Sequence, residues 1–485
     1  MALLALALLP STAEAARVVV LGAHGRATVR NDPFVTGSAA APAPWTTGGA
    51  VMHTFAKRLT KRAPAVTVAN TLTAMYHRHQ IPAAVYHSDV AAYNGALATE
   101  KRLRGTRRTE LAAVTATIHD IAAAHQLTAS RLPAVFATLA ANVQWWPHGP
   151  LLAGGQRVEF AGSQLVWQYY PGQGIQLQVL GSFGKADGLY TAGRADYPAM
   201  EQLLSEIIPL ASQRGGGLAW EYYFSFDGGA PPWTSAMSQA TGLEALTRAY
   251  EATGNAYYLQ VATRALPIFS VRPPAGVAVP TPAGTRFIQY TFTPQTKIIN
   301  AFLQTLIGLN DFARVSGNPT AAKLFGAGNA EAMAEVPSFD TGAWSLYQPG
   351  VEDDLSYHQL VTGFLSQLCS LVDAPVYCTT AQHFQTYEKT PPVLTQLTGK
   401  AAARRPVTLS FRLSKYSHVG VVVSQGAHQV FATSASFPYG VDRFSVPAIR
   451  RPGSYSVVLA ATDLAGNFAR IAGSLQVTQA KRHAS

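Results

Sequence analysis

The spacing of apolar positions divides the chain into stretches of different period. From Arg107, RRTELAAVTATIHDIAAAHQLTASRL sets Leu111, Val114, Ile118 and Ile121 on one helical face. A second helix is predicted to about Val143. Between about 155 and 190 the period shortens to two. QRVEFAGSQLVWQYYPGQGIQLQVLGSFGKADGLY alternates apolar residues between glycines, which predicts short antiparallel strands. From Tyr197 to about Lys389 the helical period returns. LTRAYEATGN and LNDFARVSGN share one plan: an amphipathic helix, then Gly254-Asn255 or Gly317-Asn318. The glycines suit a left-handed helix end, and the asparagines suit the cap of the next helix. The helix from about Gln295 to Val315 carries Ile298, Ile299, Phe302, Leu303, Leu306 and Leu309, a stripe wide enough for burial on most sides. Asn300 and Gln304 lie within it, so each needs either an internal partner or a ligand. After Arg404, VTLSFRL, HVGVVVS, HQVFATS and SYSVVLAATD alternate with period two, and a DLAGN turn at 463–467 precedes the last strand.

These patterns predict an α+β multidomain protein. Recurrent helix pairs point to an α/α toroid, or helical barrel, with an antiparallel β insertion. The C-terminal strands point to an all-β, immunoglobulin-like sandwich appended as a module. The expected division is residues 1–16, 17–106, 107–400 with hairpins at about 155–190, and 404–480. Residues 17–106 carry a strand and turn in VVVLGAHGRATVRNDPF and a short helix pair between Tyr76 and Tyr93, without a nameable fold.

Composition adds the partner and the compartment. The 485 residues are 48% hydrophobic and 13% charged, which suits packed domains rather than disorder. The formal charge of +11 calls for an anionic partner. The basic residues are scattered, with no nucleic-acid motif, so an acidic polysaccharide or anionic envelope fits better than nucleic acid. MALLALALLPSTAEAAR has a short apolar core and an Ala13-Glu14-Ala15 cleavage pattern, without a basic start. A signal peptide over 1–16, and with it a secreted or envelope-associated protein, is the expectation. No later run is long enough to span a bilayer. Cys369 and Cys378 are the only cysteines; they suit a disulfide around a short loop and do not form a zinc pattern. LGAHGRA lacks the third glycine and distal acid of a dinucleotide fingerprint.

Candidate chemistry gathers between Thr285 and Tyr357. Tyr290, Tyr347 and Tyr357 flank the apolar helix, with Arg286, Lys297 and His358 near them in sequence. QYYPGQGIQ, WTSAMSQATG, the Pro294-to-Leu309 helix around Asn300, and DTGAWSLY followed by YHQL resemble the C-terminal catalytic region of D-glucuronyl C5-epimerases. Those enzymes act on glucuronic acid in heparosan-type polymers. The likeness runs from about Gln168 to Leu371. It implies Tyr290, Tyr347 and Tyr357 as catalytic tyrosines. It implies Tyr170, Gln173, Ser235, Ala236, Met237, Asn300 and His358 as substrate contacts, with Arg286 and Gln289 alongside. It requires no cofactor, leaves metal use open, and allows a homodimer. Two positions depart from the family: Gln289 replaces a glutamate, and Gly350 replaces an arginine.

C5 epimerisation removes a proton beside a carboxylate and returns one on the opposite face, so it needs an acid and a base. An ordinary phenol is a weak base at neutral pH, and a nearby cation such as Arg286, Lys297 or His358 would correct that. The expected opposed pair is Tyr357 and Tyr290, with Tyr347 as positioner or relay. A uronate lyase would start with the same proton abstraction. A non-catalytic glycan-binding envelope protein would keep the scaffold alone, and a hydrolase would need paired carboxylates that these motifs lack. Ser235 also reads as a helix cap, and Glu352–Asp354 as a charge cluster at a helix start.

Overall fold

The computed structural model describes residues 15–22, 25–36 and 66–479. Residues 1–14 of the expected leader lie outside them, while Ala15 and Ala16 open the first strand. The chain forms two compact units, Met1–Ala332 and Met333–Ser485. Helices and sheets are mixed in an α+β architecture.

The first unit contains a five-stranded sheet ordered Ala27–Thr36, Ala15–Leu21, Arg157–Phe160, Trp167–Tyr170 and Gly174–Leu177. The N-terminal hairpin joins it through a parallel pairing of Val18–Leu21 with Arg157–Phe160. A buried ionic cluster fixes this junction. Lys185, only 2% exposed, lies 3.1 Å from Asp32 and 2.9 Å from Glu159, and Arg30 bonds both acids. Helices Val68–His77 and Ala83–Arg102 pack with Gly105–Ala123 and Leu132–Trp145 around one apolar cluster. The predicted stripe Leu111, Val114, Ile118 and Ile121 is buried.

The alternation read as strands up to Tyr190 ends sooner. Residues Val179–Ala192 form a helix, because Val179, Phe183, Ala186 and Leu189 also fall at helical spacing and all are buried. Within the region read as helical, short strand pairs intervene, Ser212–Arg214 with Gly217–Ala219 and Ala278–Pro280 with Thr285–Phe287. Helix Ala236–Thr253 packs on Ile299–Ser316 with little space between backbones. A Cβ at Gly308 would sit 2.2 Å from the Ala240 carbonyl oxygen. Gly254 (φ 71°) and Gly317 (φ 65°) end these helices in the left-handed region. Asn255 and Asn318 accept from the first amides of the next helices, as their sequence pattern predicts. Gln304 finds its partner in Glu244, at 2.7 Å.

The second unit joins helices Leu355–Leu371 and Pro375–Tyr387 by the Cys369–Cys378 disulfide. Two sheets follow. One is ordered Leu394–Gln396, Val407–Leu413, Gly440–Val446; the other Lys400–Ala402, Phe468–Thr478, Gly453–Asp463, Ser417–Gln425, His428–Phe437. Alternate residues of both sheets, among them Leu409, Phe411, Val421, Phe444, Leu459 and Leu475, enclose one apolar cluster. The sheets are tied to the helices rather than hung from a linker. Lys415, 2% exposed, donates to the Tyr387 carbonyl at 2.7 Å and pairs with Asp463 at 2.7 Å. Asn467 in the DLAGN turn donates to the Glu388 carbonyl at 2.7 Å.

Candidate active site

The predicted residues fall into a cluster in each unit. In the first, Glu110 shapes the YYPGQG loop: its carboxylate accepts from the Tyr169 hydroxyl at 2.8 Å and from the Gly172 and Gly174 amides at 3.0 Å. That hold presents Tyr170 and Gln173. Gln178 donates to the Tyr170 hydroxyl at 2.8 Å, and Gln173 accepts from the Ser225 amide at 3.2 Å.

Tyr290 lies on an irregular segment laid along the start of helix Ala236–Thr253. The Ala236 amide donates to the Ile288 carbonyl at 3.1 Å, and the Thr291 amide to the Thr234 carbonyl at 3.2 Å. The Ser235 hydroxyl donates to Gln289 Oε1 at 3.1 Å while accepting from the Ser238 amide. Ser235 is therefore both helix cap and neighbour of Gln289. Ala236 and Met237 are buried at the helix start. Tyr290 stacks on Phe292, ring centroids 5.2 Å apart, and meets Phe226 and Trp233 at 5.5 and 5.6 Å. Phe226 comes from a hairpin closed through Asp227 (φ 45°) and Gly228 (φ 79°), the two left-handed positions of a type I′ turn. Its next residue, Gly229, has no room for a Cβ, which would meet the Phe292 ring at 2.3 Å.

Asn300 occupies the first turn of helix Ile299–Ser316, 5% exposed. Its Oδ1 is buried with no hydrogen-bond partner among the described residues. No side chain caps that helix.

The expected cations behave differently from one another. Arg286 is buried with its guanidinium 5.0 Å from the Phe302 ring centroid, and burial lowers its pKa to about 10, so it stays charged at neutral pH. Lys297 is exposed. Pattern reading missed Arg157. Its pKa is lowered by burial, and its charge favours ionised Tyr170 and Tyr222. Burial still dominates at Tyr170 and raises its phenol well above the ordinary value. Only its position in the QRVEF strand, ten residues before Trp167, marked it in the sequence.

In the second unit, Tyr347 sits on strand Leu346–Gln348 and Tyr357 in the first turn of helix Leu355–Leu371. Their rings meet edge to face, centroids 5.2 Å apart. Pro349 and Gly350 close the intervening hairpin, with Gly350 at φ 81°. This is the sequence and conformation of a type II turn, where an arginine would be strained. The missing family arginine thus has a backbone explanation.

Burial pushes the Tyr357 phenol up to about 12, and Asp354 and Asp353 add to the shift. This corrects the expectation of a phenol made acidic by nearby cations. His358 is corrected too. It is buried, stacked on Trp344 at 3.8 Å, with Nε2 3.0 Å from the Phe384 carbonyl and Nδ1 2.7 Å from Ser345 Oγ. Burial depresses it to about 4, so it is neutral rather than a cation. The acidic triplet splits three ways. Asp354 caps the helix through the Tyr357 amide at 2.9 Å, as the sequence suggests. Glu352 accepts from the Tyr416 and Tyr439 amides at 2.8 Å, and Asp353 turns inward to Ser345 at 2.5 Å. No grouping of three potential metal ligands occurs among the described residues.

Residues 214–386 match the protein family described as D-glucuronyl C5-epimerase C-terminus. A D-glucuronyl C5-epimerase of Caenorhabditis elegans is 31% identical over 130 residues, 24% of this chain and 21% of that protein. An uncharacterized protein of Methanocaldococcus jannaschii is 29% identical over 137 residues, 27% of this chain and 44% of that protein. The chain thus spans less than half the length of either relative. A solved sugar epimerase from a ruminal bacterium is 15% identical, with a TM-score of 0.31, over 44% of this chain and 58% of that one.

Proposed function

The chain carries the C-terminal region of the D-glucuronyl C5-epimerase family, and from that premise we propose that it epimerises glucuronic acid residues within an acidic polysaccharide at C5. The supporting observation is the Tyr347–Tyr357 pair inside the matched segment, ring against ring, with Tyr347 buried and Tyr357 half-buried. In this reading Tyr357 is the acid. A phenol pushed up to about 12 holds its proton at neutral pH and is suited to return one to a carbanion. Tyr347 positions the sugar or relays the proton, and Tyr290, the other member of the opposed pair, is the base that takes the C5 proton. Removal of the C5 proton spreads negative charge onto the uronate carboxylate, and buried cations stabilise such charge most where water is excluded. Arg157 and Arg286 are buried cations of this kind. Asn300 offers an unsatisfied acceptor to a sugar hydroxyl.

The same proposal takes the helix pairs as part of an α/α toroid and the paired C-terminal sheets as an immunoglobulin-like sandwich. It places the enzyme outside the cytoplasm, where acidic polysaccharides are met and the Cys369–Cys378 bond is stable.

The test is incubation with a glucuronate polymer in D2O. Deuterium at C5 and iduronate signals by NMR support the reading. Absorbance from an unsaturated uronate would identify a lyase instead, and the absence of both signals would overturn the proposal.

A further inference from the structure

Beside the two tyrosines of the second unit lies a buried polar chain. Ser345, Asp353 and His358 are 0%, 1% and 0% exposed. Ser345 Oγ stands 2.5 Å from Asp353 Oδ2 and 2.7 Å from His358 Nδ1. The Phe384 carbonyl, 3.0 Å from His358 Nε2, can only accept. The imidazole proton therefore sits on Nε2, and Nδ1 is an acceptor. Two donors compete for it, the Ser345 hydroxyl and the Ser345 amide at 3.3 Å.

The serine has one proton to give. If Asp353 is protonated, it donates to Ser345 Oγ, and the serine donates onward to His358. If Asp353 is ionised, the serine must turn its proton to the carboxylate, and His358 keeps only the longer amide bond. The direction of the chain thus records one proton. Asp353 Oδ1 is buried without a hydrogen-bond partner among the described residues, which makes the ionised form costly. Burial accordingly lifts Asp353 to about 7, with Asp354 and Glu352 adding to the rise against the Ser345 bond.

The three residues are also the anchors of the tyrosines. Ser345 is two residues before Tyr347 on the same hairpin, and His358 follows Tyr357. The Asp353 amide donates to the Ser345 carbonyl at 3.1 Å, and Trp344 Nε1 donates to the Asp353 carbonyl at 2.8 Å. The charged and titratable groups around the chain are Glu352 and Asp354 beside Asp353, Tyr357 on the helix, Asp340 acting on His358, and Lys415, 5.1 Å from the Trp344 ring centroid.

We propose that Asp353 is a positioning residue whose proton sets the hydrogen-bond direction through Ser345 to His358 and, through its charge, the reactivity of Tyr357. This rests on the epimerase reading. Loss of the Asp353 proton places a negative charge beside Tyr357 and opposes any step in which that phenol gives up its own proton.

Two measurements test it. In the first, kcat/KM for C5 exchange is followed from pH 6 to 8. A fall of about tenfold is expected in the wild type, the span of one titration a pH unit past its midpoint. Asp353→Asn, whose amide cannot ionise, should lose that fall with KM little changed. A wild-type profile in the variant overturns the proposal. The second needs no activity. The His358 Nδ1 nitrogen resonance should move between pH 6 and 8 in the wild type and stay fixed in Asp353→Asn and Ser345→Ala. A resonance unmoved in the wild type overturns the switch. Absence of exchange in the wild type overturns the epimerase reading, and the resonance still decides the switch.

Discussion

Tyr347 and Tyr357 meet edge to face, their ring planes 77° apart, although one lies on a strand and the other on a helix. The relationship is one between rings, so packing and chemistry can be separated by substitution. Phenylalanine keeps the aromatic contact and removes only the hydroxyl. Tyr357→Phe should therefore lower C5 deuterium uptake by roughly 10²–10⁴, the range of a lost general acid, with the melting temperature nearly unchanged. Undiminished uptake removes Tyr357 from the mechanism. Tyr347→Phe, read in the same assay, should raise KM or lower kcat according to whether the hydroxyl binds the sugar or relays a proton.

Asn300 poses the opposite trade. Its Oδ1 is buried without a hydrogen-bond partner among the described residues, and such a group costs about 1–3 kcal/mol. Asn300→Leu replaces it with an apolar group of similar size. Thermal unfolding should show the variant as stable as the wild type or more so. Kinetics on the polymer should show a raised KM. A destabilised variant would mean that Asn300 serves the fold rather than the ligand.

How much of this was legible depended on range. The stripe of Leu111, Val114, Ile118 and Ile121, the helix ends at Gly254 and Gly317, and the caps at Asn255 and Asn318 follow from neighbours a few residues apart, and each was readable. The 179–192 stretch misled because glycines among apolar residues fit two periods, and only packing chose the helix. The site was readable as residue types and not as electrostatics. His358 looks like a cation until burial against Trp344 and Phe384 makes it neutral. Arg157 and Asp353 gain their importance from burial and from partners brought by the fold, which no local pattern reports.

Lys415 tests whether the C-terminal sheets are part of the working unit. Its ammonium is 2% exposed and satisfied by Asp463 and by the Tyr387 and Thr390 carbonyls. Lys415→Met keeps the stem and leaves Asp463 buried opposite no cation. Removing one partner of a buried pair costs about 3–5 kcal/mol. Urea unfolding should show a loss of that size in the second unit. A change under about 1 kcal/mol, the scale of exposed pairs, would mean that water reaches this junction.

Three groups of the second unit contribute to the pH dependence of stability, and the sign of each can be worked out. Burial raises Asp353 and Glu352 to about 7, above the ordinary carboxylate range. For a raised acid the stabilising contribution is complete below the unfolded pKa and is lost as pH rises through the folded one. Between pH 8 and pH 6 the folded protein takes up protons that the unfolded chain does not, so the melting temperature should rise as pH falls. Each group contributes at most about 1.4 kcal/mol per pH unit. His358 acts the other way. Its pKa is depressed to about 4, so its contribution is present above the unfolded value near 6.5 and is lost as pH falls toward 4. Of these three groups only the two carboxylates act above about pH 6.5, and the histidine opposes them below it. Asp353→Asn should flatten the rise between pH 8 and 6 by one group's share. Glu352→Gln should also flatten it and lower stability at every pH, because its new amide group faces a backbone N–H of Tyr416 or Tyr439 that now has no acceptor. Melting curves of the three proteins at pH 6, 7 and 8 decide it, and a wild-type melting temperature that falls on going from pH 8 to 6 contradicts the assignment of both acids.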